Sequence, residues 1–147
     1  MPGEPDRTDQ AATARRALEE VCSGRDLGGI PDVYHSEFVD HVNSLEYRGH
    51  DGARRSVAGY LALFPDLRFV VEDQVSEDDR VASRWRLEGT HRGRRVTLRG
   101  IVISRFEGGR IIEDWAASDT IAILRQLGLW RSLLLLVQHR KLLRGGG

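Results

Sequence analysis

Residues 67–118 read LRFVVEDQVSEDDRVASRWRLEGTHRGRRVTLRGIVISRFEGGRIIEDWAAS, and apolar and polar residues alternate along most of this segment. Alternation with a period of two is typical of β-strands that bury one face. Turn sequences at residues 76–79, 92–93 and 108–109 divide the segment into four strands. Because each connection is a tight turn, the sequence predicts an antiparallel meander.

Helical patterns surround these strands. The predicted helices cover residues 8–24, 26–35, 51–64 and 120–127. The segment FVDHVN, residues 38–43, is predicted as a short strand or extended turn. Helices followed by a meander predict an α+β fold, in which helices pack into the concave face of a curved antiparallel sheet and leave a pocket between the two layers.

The chain of 147 residues suits one domain. We predict a flexible arm over residues 1–8 and the α+β domain over residues 9–128. Residues 129–147 are predicted as a basic amphipathic helix with a glycine tail. This helix could cover the domain or a partner subunit, or bind an acidic lipid surface.

Composition excludes several classes of function. The net charge is +0, so no overall field favours nucleic acid. The longest apolar run, residues 133–137, is far shorter than the ~20 residues of a membrane span, and we expect no transmembrane segment. Cys22 is the single cysteine, which favours a reducing, cytoplasmic location. The histidine spacing fits no standard metal motif, so we expect no metal site.

Six motifs in order resemble the SnoaL-like polyketide cyclases of the nuclear-transport-factor-two-like superfamily. The resemblance covers roughly residues 10–128. The motifs are FVDHVN, YRGHDG, FPDLRF, DRVASRWRLEGTHRG, GGRIIEDWAASD and LRQLG.

This resemblance implies an α+β cone, usually dimeric, with one deep apolar cavity. Enzymes of this kind close rings on polyketide esters, isomerise or hydroxylate aromatic polyketides, or open epoxides. The cyclases use no metal or organic cofactor, and other members only bind ligands. The catalytic aspartate of the last strand corresponds to Ala116 here, and the pocket histidine of the preceding strand corresponds to Val102. The residues expected from the resemblance are therefore absent.

Three other residues are predicted to handle protons. Asp114 shares a strand face with position 116, and burial in an apolar pocket would raise its pKa and make it a better base. His41 can shuttle protons near neutral pH, and the resemblance places its DH pair at the border of the cavity. Asp119 is proposed as support, although it is also a natural helix N-cap. An ion-paired Asp114 and a backbone-bonded His41 are the structural alternatives.

The predicted ligand is a small hydrophobic molecule of the polyketide type. Trp85 and Trp115 could shape a pocket for a flat ring, although core packing explains either one. Asn43 and Tyr47 could donate hydrogen bonds. The full set of predicted substrate-binding residues is Asn43, Tyr47, Phe64, Trp85, Val102, Trp115 and Ala116.

Three functional hypotheses follow from these residues. The first is a cofactor-independent acid–base enzyme, a cyclase or isomerase acting on a hydrophobic cyclic carbonyl compound. The second is a ligand-binding member that has lost catalysis, and the third is a hydroxylase-like member in which the substrate itself reduces oxygen. Arginine and aromatic residues mixed on the strands also predict a homodimer that pairs through the outer face of the sheet.

Overall fold

A computed structural model describes residues 7–128 of the chain. Helix α1, Arg7–Arg16, continues into a π-helical segment, Ala17–Cys22. The chain then reverses at Gly24, whose φ of 74° lies in the left-handed region that glycine adopts without strain. A short 3₁₀ turn leads into α2, Ile30–Val33. The first predicted helix is thus present with its predicted end, whereas only α2 is α-helical in the second segment.

Six strands form one curved, unclosed sheet within residues 7–128, in the order β2-β1-β6-β5-β4-β3. Strands β3 to β6 form the antiparallel meander that their alternation predicts. The bounds are β1 Tyr34–Val42, β2 Leu45–Arg48, β3 Arg68–Glu77, β4 Arg80–His91, β5 Arg94–Glu107 and β6 Arg110–Ser118. The α+β fold class with a curved sheet is confirmed.

The edge of the sheet departs from a plain meander. The segment FVDHVN belongs to β1, which pairs with the last strand, β6, in parallel orientation. Strand β2, which the sequence did not predict, returns antiparallel on the outside of β1. The sheet is therefore antiparallel except at one pair, and that pair joins the two ends of the fold.

Two further helices complete the inner layer, one of 15 residues and one of seven. Helix α3, Gly49–Leu63, and helix α4, Thr120–Gln126, lie where the sequence predicts them. The chain continues into Phe64 and Pro65 after α3, and proline disfavours a helical conformation in the residue before it. In this described part of the chain, no helix is long and apolar enough to cross a membrane.

Buried side chains form two clusters between the sheet and the helices. The first joins α1, α2 and β1, and the second joins the central strands to the segment after α3. Register shifts in the β3–β4 and β5–β6 pairs mark irregularities of the bulge type, which bend a sheet locally. The bent sheet leaves space between the clusters.

The predicted arm and tail fall mostly outside the described residues. Arg7 and Thr8 belong to α1, so the last two residues of the predicted arm are helical. The predicted amphipathic helix over residues 129–147 lies outside the described range, and the domain boundaries stay predictions.

Gly100 on β5 is expected to be intolerant of a side chain. A Cβ there would overlap the indole ring of Trp85 and lie 2.6 Å from the carbonyl oxygen of Ala117. We expect Gly100→Ala to lower the free energy of unfolding by about 1–3 kcal/mol, as overpacked cores do. Urea unfolding measures the difference.

Gly59 provides the matched control for Gly100. It lies on α3, and no described atom is within 4 Å of a Cβ built on it. Gly59→Ala should stabilise the protein by about 0.4–1 kcal/mol, because alanine restricts the unfolded chain. Equal stability of Gly100→Ala and the native protein would contradict the close approach of Trp85.

Candidate functional site

Two acidic side chains meet on the concave face of the sheet. Asp40 of β1 is the register partner of Asp114 of β6 in the parallel pair. Register partners on neighbouring strands project to the same side, and neighbouring strands lie about 4.8 Å apart. Ser104 of β5 is the partner of Asp114 on its other side. Asp40 and Asp114, the carboxyl pair, therefore lie beside a hydroxyl group on three adjacent strands.

The carboxyl pair lines a small cavity between the sheet and the helices, the inner cavity, with a volume of about 60 Å³. Three of the predicted substrate-binding residues, Trp85, Val102 and Ala116, line it. Its walls are mainly apolar, with side chains from both layers. Among them are Leu18, Val57, Phe69, Trp85, Val102 and Ala116.

Asp114 is a buried acid in these apolar surroundings, with 7% of its surface exposed. Burial raises its pKa well above the ordinary value, the negative charge of Asp40 raises it further, and a hydrogen bond with Ser104 opposes the shift. Its Oδ1 has no hydrogen-bond partner among residues 7–128. The neutral carboxylic acid form of Asp114 is therefore favoured, and one of its oxygens has no partner among the described residues.

Asp40 is the more acidic member of the carboxyl pair. Burial raises its pKa to about 7, and the adjacent His41 acts in the opposite direction. When Asp40 ionises, its charge disfavours ionisation of Asp114. The pair therefore titrates in two steps, in which Asp40 loses its proton before Asp114.

Two phenols and a thiol add neutral donors to the inner cavity. The Tyr34 hydroxyl lies 3.5 Å from the Cys22 sulfur. Burial raises the pKa of Cys22 to about 12 and that of Tyr34 well above its usual value of 10. Burial also raises the pKa of Tyr60 to about 12. These groups keep their protons at neutral pH, so each can donate a hydrogen bond to an anionic oxygen.

A larger cavity, the outer cavity, adjoins the inner one and has a volume of about 420 Å³. Asn43 and Tyr47, two of the predicted substrate-binding residues, line it. Val42, Ser56 and Tyr60 line both cavities. These three residues lie where the two spaces meet, and they are called the neck below.

His41 lies on the opposite face of β1 from Asp40, because successive residues of a strand point to opposite sides. Its Nε2 is 3.0 Å from Glu113 Oε1, and its Nδ1 is 3.4 Å from Glu46 Oε2. The ring stacks on Trp115 with 5.9 Å between the ring centroids. The expectation that His41 borders the cavity therefore needs correction: Asp40 is the member of the DH pair that faces inward.

Three other predicted site residues lie away from the cavity linings given by the described structure. Asp119 caps α4, where its Oδ1 accepts a hydrogen bond from the backbone N–H of Ala122 at 3.1 Å. Phe64 is fully buried in the core. Trp115 lies on the outer face of the sheet, with the Arg80 guanidinium 5.8 Å from its ring centroid.

Sequence reasoning missed Asp40 as a site residue, although a signal was present. Phe38, Asp40 and Val42 share one face of β1 by period-two alternation. Phe38 is a core residue and Val42 lines both cavities. The same alternation places His41 outside. Tyr34 and Tyr60 carried no comparable signal, because their approach to the carboxyl pair depends on how separate elements pack.

Among residues 7–128, no group of three or more His, Cys, Asp or Glu side chains is arranged to hold a metal ion. The polar groups of the inner cavity are instead two carboxyls, two phenols, a thiol and two serine hydroxyls. This set can exchange and donate protons.

The curved sheet, the helices on its concave face and the titratable groups in the apolar cavity between them define a small α+β protein with an internal pocket. The family model for SnoaL-like polyketide cyclase matches residues 12–127. The chain belongs to the SnoaL-like polyketide cyclase family.

Solved structures show the same fold. A candidate polyketide cyclase from Bacillus cereus is 25% identical, with a TM-score of 0.75, and the match covers 83% of this chain and 82% of that one. IdmH, a candidate polyketide cyclase from Streptomyces antibioticus, is 26% identical, with a TM-score of 0.71 and 84% and 99% coverage. AclR, a candidate hydroxylase from Streptomyces galilaeus, is 25% identical, with a TM-score of 0.70 and 84% and 98% coverage. Comparison with curated proteins finds no significant match.

The carboxyl pair should make stability fall as pH rises. The raised pKa values mean that the folded protein holds protons that the unfolded chain releases above about pH 4. The contribution of Asp40 is complete below pH 4 and is lost as the pH rises through about 7, and that of Asp114 is lost as the pH rises through its own raised pKa. Asp114→Asn should therefore be more stable than the native protein at pH 8, by roughly 1–4 kcal/mol. Urea unfolding at pH 4, 6 and 8 tests this.

Asp78→Asn is the control for the loss of one carboxyl group. Its side chain is 83% exposed, in the turn between β3 and β4. The gain in stability of Asp114→Asn should shrink towards pH 4, and Asp78→Asn should keep the native pH slope. A parallel pH slope for native protein and Asp114→Asn would show that Asp114 does not carry a raised pKa.

Proposed function

We propose that this protein is an acid–base enzyme that moves a proton at the carbon α to a carbonyl group in a hydrophobic, polyketide-like substrate, without a cofactor. The observation that carries the proposal is the carboxyl pair in the inner cavity. Proton abstraction next to a carbonyl needs a base and a donor to the oxygen on which charge develops. One carboxylate and one carboxylic acid within a strand spacing supply both.

Asp40 is the proposed base. Its pKa of about 7 lies near physiological pH, where a general base combines a useful ionised fraction with useful basicity. It takes the α-proton, and the electrons of the broken C–H bond form an enolate. Return of the proton from Asp40 to a different carbon of the enolate completes an isomerisation.

Asp114 is the proposed donor to the enolate oxygen. A carboxylic acid that an apolar site keeps neutral can donate a hydrogen bond at pH 7. Its unpartnered Oδ1 and the buried phenol of Tyr34 support this role. Pairs of titratable groups whose environments separate their pKa values are typical of acid–base sites.

Val102 and Ala116 support the carboxyl pair by keeping its surroundings apolar. Both line the inner cavity at the positions that, by resemblance, carry the catalytic histidine and aspartate of the cyclases. A charge at either position would change the field at Asp114 directly. The proposal therefore assigns the chemistry to another set of residues in the same cavity.

Ligand binding without catalysis is the second candidate function. The loss of the expected residues at positions 102 and 116 favours it, and the likeness to AclR keeps a hydroxylase-like activity as a further alternative. Both alternatives use the cavity without needing Asp40 as a base. Proton exchange at the α-carbon separates them from the enzyme proposed here.

Deuterium exchange at α-carbons tests the proposal. Butanone and larger aryl ketones are incubated with the protein in deuterium oxide, and exchange is followed by proton NMR. We expect Asp40→Asn to lower kcat by roughly 10²-fold or more, because the base is lost. The native rate should rise with pH through about 7, as Asp40 ionises. Asp78→Asn should catalyse exchange at the native rate. The proposal is refuted if the native protein exchanges these ketones no faster than buffer does.

His41→Ala separates the two assignments of the proton-handling group. If His41 itself moves protons, its loss should lower kcat by roughly 10²-fold. If Asp40 is the base, the loss should be smaller than about 10-fold, and the pH profile should move to higher pH, because His41 lowers the pKa of Asp40.

We also propose that the protein forms a homodimer through the outer face of the sheet. Ile101, Ile103 and Trp115 are 51%, 41% and 38% exposed there and occupy neighbouring positions on β5 and β6. Exposed apolar side chains in one patch are typical of interaction surfaces.

A cytoplasmic location stays a prediction from the single cysteine.

A charge at the centre of this face should break the dimer. We expect light scattering to give a dimer mass for the native protein at micromolar concentration and a monomer mass for Ile103→Glu, since glutamate would be desolvated between subunits. Ile121→Glu, at an exposed position of α4 on the opposite side of the sheet, is the control and should remain dimeric. A native monomer would rule out the proposed interface.

A further inference from the structure

The two cavities differ in what they can hold. A cavity of 150 Å³ in another protein binds benzene, whereas the inner cavity measures about 60 Å³. The inner cavity therefore has room for a few non-hydrogen atoms and is too small for a six-membered ring. The outer cavity, at about 420 Å³, lies within the range of ordinary ligand sites of roughly 300–1,000 Å³.

The depth of each position can be followed along β6. Ser118 lines the outer cavity, whereas Ala116 and Asp114 line the inner one. Successive inward-facing residues of a strand are separated by about 6.6 Å. Asp114 consequently lies one full inward step deeper than Ala116.

Strand β1 shows the same gradient. Val42, the register partner of Ala116, lines both cavities, and Asp40 lines only the inner one. Ser56 and Tyr60 of α3 face Val42 across the neck. Both members of the carboxyl pair therefore lie beyond the neck, on the side with little volume.

We propose that the substrate is an open-chain carbonyl compound whose slim acyl end passes the Val42–Ser56–Tyr60 neck into the inner cavity, while its hydrophobic body stays in the outer cavity. This inference rests on the proposed function and defines the substrate class of that site. The reacting unit is a carbonyl with one small α-substituent, such as a methyl ketone. A carbonyl that is part of a ring cannot reach the carboxyl pair without carrying the ring through the neck.

The proposed reaction at the bound end is a single proton transfer. The C–H bond of the carbon α to the carbonyl breaks, the proton goes to the Asp40 carboxylate, and the electron pair becomes the enolate. Asp114 and Tyr34 line the inner cavity together with Asp40 and supply neutral donors to the oxygen that carries charge. The polar residues of the outer cavity, including Asn43 and Tyr47, contact the body of the molecule.

Benzylacetone and β-tetralone form a matched pair for the test. They have the same number of carbon atoms and one aromatic ring each, but the carbonyl of benzylacetone ends an open chain and that of β-tetralone lies in a ring. Dissociation constants are measured for the full chain by calorimetry, and α-exchange is followed by NMR in deuterium oxide. We expect benzylacetone to bind at least 10-fold more tightly and to exchange at least 10-fold faster relative to buffer.

A variant that enlarges the inner cavity checks the cause of this selectivity. Val102→Ala removes two methyl groups from its wall and should reduce the preference for benzylacetone at least threefold. Val75→Ala makes the same change on an exposed part of β3 and should leave the preference within twofold of the native value. Both variants retain Asp40 and Asp114.

Each outcome bears on the inference. Equal affinities for the two ketones, tighter binding of β-tetralone, or binding of neither ketone would overturn it. It would also be overturned if Val102→Ala preferred benzylacetone as strongly as the native protein does. A preference for benzylacetone without enzyme-dependent exchange of either ketone would support the proposed cavity arrangement and refute the proton chemistry. A preference in both binding and exchange supports the two proposals together.

Discussion

The parallel pairing of β1 with β6 is the constraint on which the site depends, because it sets Asp40 beside Asp114. Side-chain contacts hold this register on both sides of the pair. Asn43, at the end of β1, donates from Nδ2 to the Ser118 hydroxyl and accepts from the Ser118 backbone N–H, each at 3.1 Å. His41 and Glu113 join the strands on the outer face at 3.0 Å. A slip of one residue would turn Asp40 towards the outer face and His41 towards the cavity.

Burying two acids side by side opposes folding, since apolar surroundings and a neighbouring carboxylate both disfavour ionisation. A core built only for stability would place aliphatic residues at these positions, as the chain does at Val102 and Ala116. Residues that oppose local stability are concentrated at functional sites. The apolar side chains at Val102 and Ala116 contribute to the burial that raises the pKa of the carboxyl pair.

The sequence predicted what depends on local pattern. Strict alternation located β3 to β6, apolar spacing located α3, and the count from Asp119 back to position 116 placed Asp114 on the inward face. The parallel pairing of β1 with β6 was not predicted, because the two strands are more than 60 residues apart and no turn connects them. His41 was favoured over Asp40 for its chemistry near neutral pH, although alternation after Phe38 pointed the aspartate inward. Residue type outweighed strand geometry in that choice, and geometry was the better guide.

Depth links the electrostatics of the site to its selectivity. Along β6, inward positions pass from Ser118 in the outer cavity to Ala116 and then Asp114 in the inner one. The same step that desolvates the acid and raises its pKa also narrows the space around it. An acid at position 116 would lie at the level of the neck, where more volume is accessible but desolvation is weaker. In the proposed site, the position of the carboxyl group along one strand thus governs both its desolvation and the width of the group that can reach it.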